Sequence, residues 1–462
     1  MANIHRPVVA RNWMVRWRLV LSWVMAGIIV AASAGQAATA ESTSPSVLAT
    51  ADQNVVESLA LQLLKTPALK RQKEESRKLL LASPVAATRD GTRTLAKVLD
   101  EMTFAAALGA ANNLDPAHPR ATVLFNAPQT WFGHGVPGSG VGFDNPDNAY
   151  RLITVDGASK YEIILRVRQP APKMYSLYLY EAVIGDGSKR GFDVALAGYR
   201  ESEFKPEADG SIRITVDRDP ANGRPNHMQN PDDARCIYIR NMFDDWGGQV
   251  PLEVVVRRIG GPEVSKPDRN TLARRAAEIL KGETNTILGM TKANFTRVVQ
   301  PNTVSKPFTR GGGWGYSARG DFKLADDEAL LVTLTTPPDQ YLGVQVTDHW
   351  LHSVEYIHAN GSLNNQQAEA NRDGSYTYVI TLADPGVRNW LDTGGLHEGE
   401  FLIRWQDLPE AAVAGAVRDV RLVKLADLPD LLPMEATRVN AAQRREILRQ
   451  RAASYFHRYT VK

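Results

Sequence analysis

The stretch Asp209-Gly210-Ser211-Ile212-Arg213-Ile214-Thr215-Val216 decides the fold. A glycine-centred turn feeds a run in which apolar and polar residues alternate, the period of a strand that buries one face. The same turn, Asp373-Gly374-Ser375, returns later and again feeds an alternating strand. Upstream of the two turns, Tyr150, Glu162, Leu165, Pro172 and Tyr175 match Tyr316, Glu328, Leu331, Pro338 and Tyr341. Downstream, Asp219-Pro220, Asn226 and Ile239-Arg240 match Asp384-Pro385, Asn389 and Ile403-Arg404. The spacing drifts only between about 163 and 166 residues, as expected of an internal duplication with small loop insertions. The fold class expected is mainly β: two tandem β-sandwich, jelly-roll-like domains, since each sheet has one apolar face to cover.

Helical periodicity flanks these regions. Val55, Leu59, Leu63 and Leu64, then Leu95, Val98, Leu99 and Met102, recur at helical spacing, with Pro67, Pro84 and Asp90-Gly91 dividing the segment. Leu272, Ala276, Ile279 and Leu280 mark a connecting helix, and Leu448, Ala452, Tyr455 and Phe456 a last one. The expected organisation is a helical region over 41–118, a first sandwich over 119–262, a helical connector over 263–310, a second sandwich over 311–428, and a C-terminal helix over 429–462.

Residues 1–40 read as a secretory signal peptide: Arg6, Arg11, Arg16 and Arg18, an apolar run from Leu19, then Ala38-Thr39-Ala40. The alternative is retention as a membrane anchor. Cleavage predicts a periplasmic or secreted protein with no membrane span. Taking those four arginines from the 54 basic residues leaves 50 against 51 acidic ones. The sequence pI of 8.8 then belongs largely to the leader, and no basic face argues for nucleic acid. The basic run Arg438, Arg444, Arg445, Arg449, Arg451, Arg458 reads as the solvated side of a helix. The single cysteine, Cys236, excludes an intramolecular disulfide and reads as a small buried hydrophobe.

Duplication sorts the polar candidates: residues present in both copies read as structural, those in one copy as free for function. Arg240 with Arg404, and Asn226 with Asn389, fall in the first class, with ligand contact as their alternative role. His227, standing against Trp390, falls in the second, as does Gln229 against Asp392. The second copy holds the densest cluster, Asp348-His349-Trp350-Leu351-His352, then Tyr356, Asn364 and Asn365; His397 joins by its similar hairpin. His227, Asp392, His397, His349 and His352 are the acid–base candidates. Asn226, Arg240, Asp245, Trp246, Trp350, Tyr356, Asn364, Asn365, Asn389, Trp390 and Arg404 are the binding candidates, with Trp405 a further stacking surface. His349 and His352, three apart at a strand end, lack a helical ligand spacing, so no metal and no cofactor is expected. No nucleophile elbow, Walker loop or Rossmann fingerprint occurs, and Gly311-Gly312-Gly313-Trp314-Gly315 is a glycine run without a following helix.

At these motifs the chain resembles the bacterial domain-of-unknown-function family numbered 1214, often found with a companion family numbered 1254. The resemblance rests on Asn145-Pro146-Asp147-Asn148-Ala149-Tyr150-Arg151 and Gly223-Arg224-Pro225-Asn226-His227 in the first β region. In the second it rests on Ser362-Leu363-Asn364-Asn365-Gln366-Gln367-Ala368, Asp384-Pro385-Gly386 and Asn389-Trp390-Leu391-Asp392-Thr393-Gly394-Gly395. It implies paired β-sandwich or jelly-roll domains and brings no catalytic residues. Two functions follow as expectations: an exported hydrolase or lyase acting on a glycan or another polar small substrate, or a non-catalytic ligand- or glycan-binding accessory protein. Oligomeric state stays open.

Overall fold

The computed structural model describes residues 47–183, 185–186, 194–296, 300–310, 315–406 and 408–459. The expected leader over 1–40 and most of the glycine run, 311–314, lie outside the described residues. Three helices lead: α1 (Ala51–Leu63), α2 (Pro67–Leu81) and α3 (Gly91–Asn112). Thr50 caps α1 by accepting from Gln53 N at 3.1 Å, and Pro67 opens α2 where a missing N–H costs nothing.

The first β region follows: β1 (Thr122–Leu124), β2 (Gln129–Trp131), β3 (His134–Val136), β4 (Asn148–Thr154), β5 (Lys160–Arg166), β6 (Met174–Tyr180), β7 (Ala197–Arg200), β8 (Ile212–Asp217), β9 (His227–Gln229), β10 (Cys236–Met242) and β11 (Glu253–Gly260). Helix α4 (Arg269–Thr296) leads to β12 (Thr303–Val304), β13 (Phe308–Thr309), β14 (Tyr316–Lys323), β15 (Glu328–Leu334), β16 (Leu342–Thr347), β17 (Ser362–Asn364), β18 (Tyr376–Thr381), β19 (Trp390–Asp392) and β20 (Glu398–Trp405). After α5 (Glu410–Val413) come β21 (Val417–Lys424), α6 (Leu428–Leu431) and α7 (Ala441–His457). The described chain is mostly β. No helix in it is long and apolar enough to cross a membrane.

Four sheets stack in two pairs. In the first pair the orders are β1-β4-β10-β6-β7 and β11-β5-β8-β9; in the second they are β12-β14-β20-β16-β17 and β19-β18-β15-β21. Apart from β1 and β12, the strands of one pair take the same places as those of the other, including a parallel pair at one edge, β8 with β9 and β18 with β19. Alternation fills each interior. Ile163, Leu165, Leu177, Ile214 and Ile239 meet in the first, and Leu330, Val332, Val344, Ile380 and Ile403 in the second. Each such side chain contributes roughly 1.5–3 kcal/mol by leaving water.

Register corrects part of the sequence matching. Ile212, directly after the first Asp-Gly-Ser turn, pairs with Leu165, whereas Tyr376, directly after the second, pairs with Leu334. Leu165 therefore corresponds to Leu334, not to Leu331, whose side chain lies on the other face among Ala329, Val379 and Trp390. An odd shift in a strand exchanges its faces, so an identity match at the wrong parity has no counterpart in space.

Helix α7 corrects a second expectation. Arg438, Arg445 and Arg449 are exposed as expected, but Arg444, Arg451 and Arg458, seven residues apart, are buried and form an inward stripe of the helix and its C-cap. Arg444 binds Asp384 at 2.9 Å and lies over the Trp390 ring. Arg451 and Arg458 both stack on Trp246, and their guanidiniums donate to Tyr356 O at 2.6 Å and Pro146 O at 3.1 Å. Planar, weakly hydrated guanidinium can do this where ammonium does so poorly.

Candidate functional site

One face of the β14-β20-β16 sheet points away from the sandwich interior, and its side chains are sorted by alternation. On β14, Ala318 and Phe322 enter the interior, which leaves Ser317, Arg319 and Asp321 on the opposite face. On β20, Phe401, Ile403 and Trp405 point inward, leaving Glu398, Glu400 and Arg404 with that second set. Asp321 and Glu400 are direct cross-strand partners. Like charges so placed destabilise a sheet unless a proton or a cation intervenes.

His349 reaches the same point from the turn after β16. Asp348 holds that turn by accepting from Trp350 N and His352 N, both at 3.0 Å, and the Trp350 indole donates to Gly91 O at 2.7 Å. Ligand atoms of Asp321, His349 and Glu400 all lie within 4.8 Å of one another. They line a cavity of about 800 Å³ walled by Thr88, Arg89, Lys323, Glu328, His397 and Glu398 among others. Burial pushes the Asp321 carboxyl up to about 6 against the pull of Arg319, and burial holds His349 below its ordinary value, opposed by Glu398, Asp348 and Asp90. A carboxyl raised in this way can give up a proton, and an imidazole kept neutral can take one. The trio, one nitrogen and two carboxylates, is also a donor set that suits a divalent cation.

A likeness in fold is found among solved structures. An uncharacterised protein from Burkholderia cenocepacia superposes with a TM-score of 0.63 at 23% identity, covering 79% of this chain and 99% of that one. A protein from Vibrio parahaemolyticus gives 0.38 at 12% identity, covering 71% and 96%. No family model and no curated protein matches the chain.

Of the acid–base candidates, only His349 and His397 line the large cavity. His397 bridges its rim, with Nε2 at 2.8 Å from Asp326 Oδ1 and 2.9 Å from Arg89 Nη2. His352 is buried elsewhere, Nδ1 lying 3.0 Å from Glu101 of α3. Asp392 turns back to accept from Gly394 N at 2.8 Å. His227 belongs to the other sandwich and is enclosed, with Nδ1 at 2.8 Å from Thr215 Oγ1 and Nε2 at 2.7 Å from Asp219 O. Its side chain is fully buried, which leaves no path for a substrate to either nitrogen and removes it from the acid–base candidates.

The binding candidates divide in the same way. Asn226 donates to Lys205 O and Arg213 O and accepts from Lys205 N; Asn389 does the same with Glu369 and Thr377. Both pin loops. Trp246, Trp350, Trp390 and Trp405 are buried, as is Tyr356, so none offers a face for a sugar. Their indoles donate inward, Trp246 to Asp147 at 2.7 Å and Trp405 to Thr335 O at 3.0 Å. Asn364 also donates to Asp147, Asn365 donates to Gln340 O at 2.9 Å, and exposed Asp245 caps its own turn at Gly247. Arg240 and Arg404 do line a cavity, a separate one that they share with Arg310 and Arg319. Asp321 and Glu400 were not found from sequence. Glu398-Gly399-Glu400 on one strand is a legible same-face signal, but its partner Asp321 appears only once β14 is paired with β20.

Proposed function

We propose that the chain is an exported hydrolase or lyase acting on a polar small substrate or a glycan, with its reaction centre at Asp321, His349 and Glu400. One observation carries the reading: two carboxylates and an imidazole converge within 4.8 Å on the wall of a cavity large enough for a sugar-sized substrate. In hydrolysis, protonated Asp321 gives its proton to the leaving oxygen while neutral His349 takes one from the attacking water; in elimination, His349 takes a carbon-bound proton instead. Arg89 and Lys323 offer positive charge to the substrate. The matching strand orders support the internal duplication of a jelly-roll-like unit, and the quoted motifs support kinship with the family numbered 1214. The accessory-protein reading loses its stacking surfaces to burial.

The test is turnover by the purified protein on a panel of oligosaccharides, uronate-containing glycans and small esters, with and without a chelator. Native protein is expected to act on a member of the panel, and Asp321→Asn and His349→Gln each to lower that rate by a hundredfold or more. Loss in chelator, restored by a divalent metal, assigns the trio as ligands. Turnover indifferent to both substitutions refutes the site.

A further inference from the structure

Another cavity, of about 280 Å³, opens where the loop after β10 meets the turns on either side of β17 and the helix α7. It shares no described lining residue with the acid–base cavity. Helix α7 brings Ile447, Gln450, Arg451 and Ser454 to it, three and four residues apart and therefore on one face. Arg451 organises the wall. Its guanidinium donates to Tyr356 O at 2.6 Å, Gln367 Oε1 at 3.1 Å and Ser362 Oγ at 3.0 Å, and lies over the Trp246 ring at 4.3 Å. Gln367 Oε1 also accepts from Asn364 N at 3.1 Å. The oxygen of that amide is filled, and Nε2 is the atom left to donate.

Asp245 is fixed in a similar way. Its Oδ1 accepts from Gly247 N at 3.0 Å and Gly248 N at 3.1 Å, which leaves Oδ2 to accept. Half-buried Arg388 spends one N–H on Gln367 O at 3.4 Å and keeps the others. Asn360 is held by its own carbonyl, which accepts from Asp392 N at 3.0 Å. It is 1% exposed, and among the described residues its Oδ1 has no hydrogen-bond partner. An amide oxygen buried in that state calls for a donor from outside the chain. The described lining holds two acids, Asp244 and Asp245, and two arginines, Arg388 and Arg451, so it brings no net charge to select an ion. Acceptors and donors set around the apolar wall of Leu363, Ile447 and Trp246 fit a molecule whose hydroxyls both donate and accept.

We propose that this cavity binds a single ring of a neutral sugar, or a cyclic polyol of that size, with Asp245 and Asn360 accepting from its hydroxyls and Gln367 and Arg388 donating to them. The site is separate from the acid–base cavity and does not rest on the reaction assigned there.

Saturation-transfer NMR titrations of the purified protein with glucose, galactose, N-acetylglucosamine and myo-inositol test it, with glucuronate and glucosamine as charged counterparts. Saturable binding of at least one neutral probe is expected. Its Kd should rise by about fivefold or more in Asn360→Ala and Gln367→Ala, the loss of one hydrogen bond. It should hold within about twofold in Lys323→Ala, on the wall of the acid–base cavity. Asp245→Asn keeps the oxygen that caps the turn and turns the outward acceptor into a donor. It should weaken binding by about threefold or more, which keeps the test available if a buried variant does not fold. Absence of saturable binding for all four neutral probes overturns the proposal. So does binding indifferent to the Asn360, Gln367 and Asp245 substitutions, or weakened as much by Lys323→Ala, which would place the sugar in the other cavity. Glucuronate or glucosamine binding more tightly than every neutral probe contradicts the neutral class.

Discussion

A carboxyl raised to about 6 is a statement about stability as well as chemistry. The folded protein holds the Asp321 proton more tightly than the unfolded chain, whose carboxyl titrates near 4. Stability from that proton is therefore complete below about pH 4 and is lost as the pH rises toward 6. Asp321→Asn should remove this slope, melting like native protein at pH 4 and above it at pH 7, by about 1–2 kcal/mol after allowing for water at its open side. Melting curves at the two pH values check it; a variant that melts lower at pH 7 contradicts it. His227→Ala should instead lose roughly 1–3 kcal/mol at any pH, because Thr215 and Asp219 O lose a buried partner, and should leave turnover on the panel unchanged. Sequence singled out His227 because its counterpart is Trp390. What it could not supply was the backbone path that brings Asp219 O onto the ring.

Turns and loops were read best at the scale of elements. The Asp-Gly-Ser turns, the paired asparagines, and Arg240 with Arg404 occupy corresponding places, since each depends on a few neighbouring residues. Matches within β5 and β15 failed, as did Tyr150 with Tyr316 and Tyr175 with Tyr341, because one side chain resembles another while parity decides which face it serves. Asn226→Ala and Asn389→Ala each remove three loop hydrogen bonds and should cost similar amounts, about 2–3 kcal/mol. Denaturant midpoints measure this, and a large cost at only one site would show that the loops are not equivalent. The α7 arginines show the opposite limit. Charge alone suggested solvent, yet Trp246, Phe243 and Tyr455 supply aromatic faces for Arg458. Arg458→Ala should therefore lower stability by about 3 kcal/mol or more, read from chemical denaturation; a change near zero would place that side chain in water.

Over the whole molecule, the two sheet pairs are joined through a buried polar knot. Asp147, from a segment that the resemblance singles out, accepts from Tyr341 at 2.6 Å, Trp246 at 2.7 Å and Asn364 at 2.9 Å. Its carboxyl is pushed up by burial and relies on those donors. The motif residues thus hold the halves together, which sequence could not reveal because the partners come from both β regions. Scanning calorimetry should show one cooperative transition, and Tyr341→Phe should lower its midpoint; two separated transitions in native protein would mean that the halves melt independently. Joined in this way, the halves leave one sheet face acidic around Asp321 and Glu400 and basic around Arg319 and Arg404. The proposed reaction centre needs, at the acidic end, a carboxyl that acts as an acid near neutral pH. Titration of the carboxyl carbon resonances of ¹³C-aspartate-labelled protein, with Asp321→Asn to identify the signal, measures that directly. A midpoint near 6 is predicted, and an ordinary midpoint near 4 would contradict the acid–base role.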